Sequence, residues 1–549
     1  MVRRWLPLLL LPAALASAAP ASAATPPQAR IGEREAIAIA DADPKVRSQR
    51  AEHPDISPAA VLENGNWKVD YFSGDRDLAQ VIVDDETGVV RESWTGYQVA
   101  WKMARGYEGA FGRKLNAPYV WIPLCAIFLI GLVDWRRPLR LAHLDLLVLL
   151  SFGISHLFFN RAEIGLSVPL AYPPLLYLLA RLLWLGFRGG GSGLRPVWPA
   201  AWLLIAALFL IGFRGGLNIA DSNVIDVGYS GVIGADLVAH GDNPYGNFPA
   251  DNPSGDTYGP VNYYAYVPFE LALPWSGSWD DLPAAHAAAI FFDLVAVAGL
   301  VLLGRRLREG AEGRVLGAAL AFGWAAYPYT AFALESNAND AVVGALLVLT
   351  VLVAARPAAR GALLALASLT KFAAAPLLPL MATYSASRRS IATFLAAFAA
   401  VALLAMAPVI IGPGLDTFWD RTIGFQAGRD SPFSIWGQAP SLEPLQTALK
   451  IGIAGLAALV AFVPARKSPV QLAALAAALL IGVQLTVEHW FYLYIPWFFP
   501  LALVALLAIR PRESSPALWI PPGHRGESPR SPPLPRRLRR RYRSARASA

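Results

Sequence analysis

Long apolar runs constrain this chain more than any other feature. From Ala117 onward, stretches of about 18 to 24 residues with almost no charge recur, each long enough to cross a hydrocarbon layer of roughly 30 Å. They place spans near 117–135, 143–159, 165–187, 197–213, 283–304, 315–334, 338–355, 390–411, 444–464, 469–486 and 490–509. With 55% hydrophobic residues and a mean hydropathy of +0.42, the expected fold is an α-helical polytopic membrane protein, not a string of soluble domains. A net charge of +8 would suit nucleic acid, but the basic residues sit in short loops between the runs and in the C-terminal stretch. That placement fits membrane topology and anionic lipid better, and no nucleic-acid partner is expected. Cys125 is the only cysteine, which leaves no intrachain disulfide and no thiolate metal site.

The first residues read as a secretory signal. Arg3 and Arg4 precede an apolar stretch over 5–16 and the small-residue site Ala21-Ser22-Ala23, so 1–23 is expected to be a signal peptide. Residues 24–116 are polar and hold no apolar run. Within them 33–42 reads as a short helix, 67–72 as a strand, and 78–83 and 89–94 as a hairpin around Asp84-Asp85-Glu86-Thr87-Gly88. A helix packed on a small antiparallel sheet follows. The helix, the strand and the Asp-x-x-Thr-Gly turn resemble the PepSY domain, a small extracytoplasmic α+β module. The resemblance implies a binding or regulatory accessory. The segment shows no constellation like an active site, so it is expected to be dispensable for chemistry.

Arginine placement sets the expected topology. With the N-terminal domain extracytoplasmic, the loops holding Arg136, Arg188, Arg305 and Arg356 all fall inside. Read as one span, 361–384 would invert everything after it, yet Lys371 lies in its middle and Pro376 and Pro379 interrupt its second half. A hairpin re-entering from the cytoplasmic side keeps Arg388, Arg389, Arg466 and the basic, disordered 510–549 tail inside. It also puts Lys371 at an apex within the membrane. Non-helical backbone at that depth is tolerated only where it is buried in protein or lines a cavity, so the hairpin points to a site. The expected architecture is about eleven transmembrane helices plus this hairpin, in a cell membrane, with long outer loops at 214–282 and 412–443.

The first outer loop carries the most chemistry. It begins Asp221-Ser-Asn-Val-Ile-Asp226-Val-Gly-Tyr229 and passes Asp236 and Gly241-Asp-Asn243-Pro-Tyr245. It reaches Thr257-Tyr258-Gly259-Pro260 and then the aromatic run Tyr263, Tyr264, Tyr266 and Phe269. Carboxylates, amides and rings gathered at the membrane–water level suit a substrate with a sugar head and a lipid tail; a solvated loop with aromatic anchors is the plainer alternative. Three further elements follow in order. Glu335-Ser-Asn337-Ala-Asn339-Asp340 opens a span at its outer end, Lys371 precedes a Pro-Leu-Leu-Pro stretch, and His489-Trp490 leads into Tyr492. In order and placement these motifs, over roughly 197–509, resemble the GT-C glycosyltransferases. Within them the likeness is to glycosyltransferase family 87, the polyprenyl-phosphomannose-dependent mannosyltransferases. Tyr258-Gly259-Pro260 stands where that family usually has Tyr-Pro-Pro.

The resemblance implies transfer of a sugar, mannose or arabinose, from a polyprenyl-phosphate donor to a cell-envelope glycolipid or glycan on the outer face. An acceptor hydroxyl must lose its proton, and a direct displacement inverts the anomeric centre. Asp226 matches the acidic position of the general base, with Asp221 and Asp236 as alternatives. Lys371 is the leading phosphate ligand, with Arg429 or Arg421 as a further clamp, and His489 is a candidate for the sugar hydroxyls. Tyr229, Asp236, Asn243, Tyr245, Tyr258 and Asn337 are expected to complete substrate binding. No cofactor is implied, and the outer loops hold no Asp-x-Asp pair or His/carboxylate cluster at ligand spacing. A transporter or flippase of lipid-linked substrates is the alternative, with Asp145, Arg181 and Asp293 as its in-span ionisable residues.

Overall fold

The computed structural model describes residues 29–74, 76–106, 113–190, 193–384 and 387–509. The signal-peptide reading of 1–23 and the basic tail 510–549 lie outside the described residues.

The N-terminal unit is α+β. Helices α1 (Glu33–Asp41) and α2 (Pro44–Glu52) pack on an antiparallel meander of β1 (Ser57–Glu63), β2 (Asn66–Ser73), β3 (Arg76–Asp84) and β4 (Val90–Thr95). Alternation along β2 and β3 sends Trp67, Val69 and Tyr71 to the face where Val83, Val81 and Ala79 oppose them, and Ala36, Ala40 and Val46 close that core. The β3–β4 turn is set by Asp84, whose Oδ1 accepts from the Thr87 N–H at 2.7 Å and the Thr87 hydroxyl at 2.7 Å. Those bonds, with Arg91 on the other oxygen, hold its carboxyl down at about 2. Gly88 follows at φ +70°, where a side chain would be strained.

The remainder is helical. Among the described residues, six helices are long and apolar enough to cross a membrane: Leu141–Phe159, Ile164–Arg188, Ala200–Asp221, Pro283–Leu307, Arg388–Ile411 and Pro440–Phe462. A seventh is added if Gly310–Ala326 and Pro328–Glu335, bent by 57°, form one span. The expected count of eleven is therefore not reached by length and composition. Where spans 117–135, 338–355, 469–486 and 490–509 were read, the apolar helices are Pro118–Leu132, Asp340–Leu352, Pro469–Gln484 and Tyr492–Ala508. Three of these helices stop two or three residues before the expected ends, at Leu132, Leu352 and Gln484. At 1.5 Å per residue, 13 to 17 residues reach only about 20–26 Å.

Burial sorts these helices into an inner and an outer set. Side chains of Gly310–Ala326, Asp340–Leu352, Pro469–Gln484 and Ile495–Ala508 are buried nearly all round. Arg388–Ile411 instead leaves apolar side chains uncovered, Leu404 at 77% and Ile411 at 85% exposure. An apolar outer ring around an apolar centre is compatible with insertion in a bilayer. Two buried ion pairs lie inside this body. Arg181 Nε lies 3.0 Å from Asp145 Oδ2, and Arg214 lies 2.7 Å from Asp293.

The segment 361–384 is broken at Lys371. Helix Pro357–Thr370 ends there, Lys371 is extended (φ −138°, ψ 126°), and a 3-10 turn over Phe372–Leu377 leads into Leu378–Thr383. Neither piece is long enough to span.

Candidate functional site

Two chain segments that are far apart in sequence build the platform on which Asp226 stands. The Asn223 N–H donates to Glu335 O at 3.1 Å and the Ile225 N–H to Ser336 O at 3.3 Å, a short ladder between the first outer loop and the turn before Asp340. Asn337 locks it. Its Nδ2 donates to Ser222 Oγ and to Asn223 O, both at 2.9 Å, while its Oδ1 accepts from Asn218 at 2.9 Å. Asn337 sits at φ +49°, a left-handed conformation that Asn tolerates better than most residues. Asn337, expected from sequence to bind substrate, is fully buried and bonded to the protein, where it clamps the loop.

From that platform the chain enters helix Asp226–Ala239 with Asp226 at its first position. Gly231 and Gly234 let this helix lie against Pro260–Ala272, since a Cβ at either position would meet the rings of Tyr266 or Tyr263 at under 3 Å. Asp226 is exposed to solvent, yet protein surrounds it on most sides, and this crowding pushes its carboxyl above the usual range. The Val227 N–H at 2.9 Å and the positive charges of Arg429 and Lys371 oppose that shift.

Beside it is a cavity of about 460 Å³. Tyr258, Lys371, Arg429, Glu488, His489 and Trp497 supply its polar and aromatic lining, with Phe372, Ile423 and Val483 among the apolar part. Lys371 Nζ lies 2.7 Å from Asp340 Oδ1, which also accepts from Trp497 Nε1 at 2.7 Å. The same ammonium lies over the rings of Tyr258, Tyr494 and Trp497 at 5.4, 5.4 and 5.1 Å. One of its three N–H donors is committed to Asp340, which leaves two. Gly259 makes this meeting possible, because a Cβ there would lie 2.0 Å from the carbonyl oxygen of Leu369, two residues before Lys371.

Arg429 is held differently. Its guanidinium lies over the rings of Trp101 and Phe425 at 5.1 and 5.8 Å, and among the described residues no carboxylate is within ion-pair distance. His489 Nδ1 is 2.9 Å from Ser431 Oγ. Burial and the charges of Arg429 and Lys371 push its pKa well below the ordinary range, so the imidazole is neutral.

The other expected site residues do not line this cavity. Arg421 is taken up by Asp256 at 2.5 Å and by Pro253 O at 2.7 Å, tying the second outer loop to the first. Tyr229 is buried against Trp279 with ring centroids 4.6 Å apart, and its hydroxyl donates to Asp251. Tyr245 donates to Tyr258 O at 2.9 Å and so supports Tyr258 from behind, while Asn243 Oδ1 accepts from the Tyr245 N–H. Asp221 faces Lys114 at 3.8 Å, and Asp236, ten residues or about 15 Å along the helix from Asp226, pairs with His240 at 3.3 Å. Sequence reading missed Trp101, Glu488 and Lys450, each of which lines or backs the cavity. Lys450 alone carried a signal, as a lone cation on an apolar helix. The chain matches no protein-family model and no curated protein.

Proposed function

We propose that the chain is a multi-pass membrane glycosyltransferase that moves a sugar, mannose or arabinose, from a polyprenyl-phosphate donor to an envelope glycolipid or glycan on the extracytoplasmic face. One observation carries the reading: Asp226, Tyr258, Lys371, Arg429 and His489, remote in sequence, gather in and around a single cleft. That set has the parts a displacement at an anomeric carbon requires. The acceptor oxygen forms its bond to that carbon as its proton passes to the Asp226 carboxylate. The carbon–oxygen bond to phosphate breaks with its electron pair going to the phosphate, and attack opposite the leaving group inverts the centre.

Charge developing on the departing phosphate falls to Arg429 and to the two free N–H donors of Lys371. Lys371 is already ion-paired with Asp340, so Arg429 is the stronger electrostatic partner. His489, neutral, offers hydrogen bonds to sugar hydroxyls without adding charge. The apolar side of the cavity suits the first isoprene units of a lipid tail. In this reading the six or seven long apolar helices and their uncovered outer faces lie in the bilayer, with the 24–116 unit and the cleft outside and Arg388 and Arg389 inside.

The transporter alternative has less support. Its candidate ionisable residues Asp145, Arg181 and Asp293 are buried in ion pairs with each other or with Arg214. The expected result for the purified full-length protein, given mannosyl- or arabinosyl-polyprenyl phosphate and an envelope lipid extract, is release of polyprenyl phosphate together with a glycosylated lipid or glycan. Recovery of both donors intact, with the protein folded and an acceptor-competent extract, rejects the proposal.

A further inference from the structure

The N-terminal unit and the cleft are joined by one aromatic residue. After β4 the chain does not leave as a free linker. Arg105 bonds Gln80 Oε1 on the sheet side at 2.8 Å, and Gln98 Nε2 donates to Ala162 O on the helical body at 2.8 Å. Gly106, at φ +56°, passes so close that a Cβ would lie 2.4 Å from the Ala162 nitrogen. Between these fixed points stands Trp101. Its ring meets Phe433 edge-on at 5.4 Å and His489 at 5.7 Å, and the Arg429 guanidinium lies over it at 5.1 Å.

Arg429 needs such a support. It follows a helix end at Gly428, has extended backbone, and has no carboxylate within ion-pair distance among the described residues. A long side chain without an anchor samples many rotamers, and ordering it costs free energy each time a ligand binds. A ring face fixes the guanidinium while leaving its N–H edge and its full charge for an anion, which a carboxylate partner would not.

We propose that Trp101 is a positioning residue for Arg429, through which the N-terminal unit helps to build the anion side of the cleft. This rests on the transferase reading for the ligand class, a lipid phosphate. It runs against the expectation that 24–116 is dispensable, because Trp101 belongs to that segment.

The test is a double-mutant cycle on full-length protein in detergent, with geranyl phosphate as the probe and its Kd as the readout. Trp101→Leu, which keeps apolar bulk but removes the ring, is expected to weaken binding about tenfold. Trp101→Phe is expected to stay close to wild type. In an Arg429→Ala background, Trp101→Leu is expected to add almost nothing, because the interaction it supports is already gone. Losses that multiply in the double variant, or an unchanged Kd in Trp101→Leu, overturn the proposal and leave the transferase reading standing. Wild-type protein that binds no geranyl phosphate overturns both. Binding with the expected cycle but no sugar transfer sustains the Trp101 assignment and rejects the transferase reading.

Discussion

Asp226→Asn is expected to lower turnover by at least about a hundredfold while leaving donor binding largely intact. The substitution keeps size and shape, and the amide oxygen can still accept from the Val227 N–H, so the first turn of helix Asp226–Ala239 is preserved. What is lost is the ability to take a proton. General-base contributions of 10²–10⁴-fold correspond to roughly 3–5.5 kcal/mol of barrier. The pH profile separates chemistry from folding. A base must be deprotonated to act, so wild-type turnover should fall as pH drops through the Asp226 pKa, which crowding raises above the ordinary carboxyl value. In Asp226→Asn that acidic limb should vanish from the residual rate. Near-normal turnover would reject the assignment, with Asp221 and Asp236 the next to test.

Asp340→Ala is expected to be the most destabilising single change near the cleft. Removing the carboxylate leaves the Lys371 ammonium buried with aromatic rings alone as partners, and breaking a buried pair in this way costs about 3–5 kcal/mol. It also strips the Trp497 N–H of its acceptor. Thermal unfolding in detergent should show a marked fall in Tm for Asp340→Ala and a smaller one for Asp340→Asn, which still accepts from Trp497. Adding Lys371→Met to Asp340→Ala should recover much of the loss, because no uncompensated charge remains. If the double variant unfolds at or below the temperature of Asp340→Ala, the pair is not what holds Lys371 in place.

Much of the N-terminal unit was legible because its signals were local. The helix read over 33–42 is Glu33–Asp41, and β2, β3 and β4 stand where alternation and the Asp-Asp-Glu-Thr-Gly turn placed them. β1 escaped because Ser-Pro-Ala-Ala carries little β preference; its partner strand, not its composition, makes it a strand. α2 has a single buried residue, Val46, and so no apolar stripe, although Asp43 caps it and Pro44 starts it in the customary way. Among the spans, a hydropathy window counts apolar residues whether or not the helix continues through them, so it overstated the length of the inner helices. Those helices are covered by neighbours along most of their length.

At the site, sequence order gave the neighbourhood and not the direction of the side chains. Tyr258, Lys371, Arg429 and His489 line one cavity, and Asp226 lies near the charges of Arg429 and Lys371. Tyr229 lies three residues after Asp226 on the same helix, yet it turns into the Trp279 packing, and Asn337 folds back on its own loop. A polar motif can serve the loop it sits in as readily as a ligand. Trp101 had no signal at all, since the contact arises from tertiary docking of the N-terminal unit.

The most direct test of the central claim is where a lipid phosphate binds. Full-length protein would be irradiated with a diazirine-bearing polyprenyl phosphate and its labelled peptides mapped by mass spectrometry. The cleft predicts adducts at Phe372, Ile423 and Val483, lost when excess unlabelled polyprenyl phosphate is added. Saturable labelling confined instead to the separate cavity lined by Leu303, Val351 and Tyr384 would contradict it.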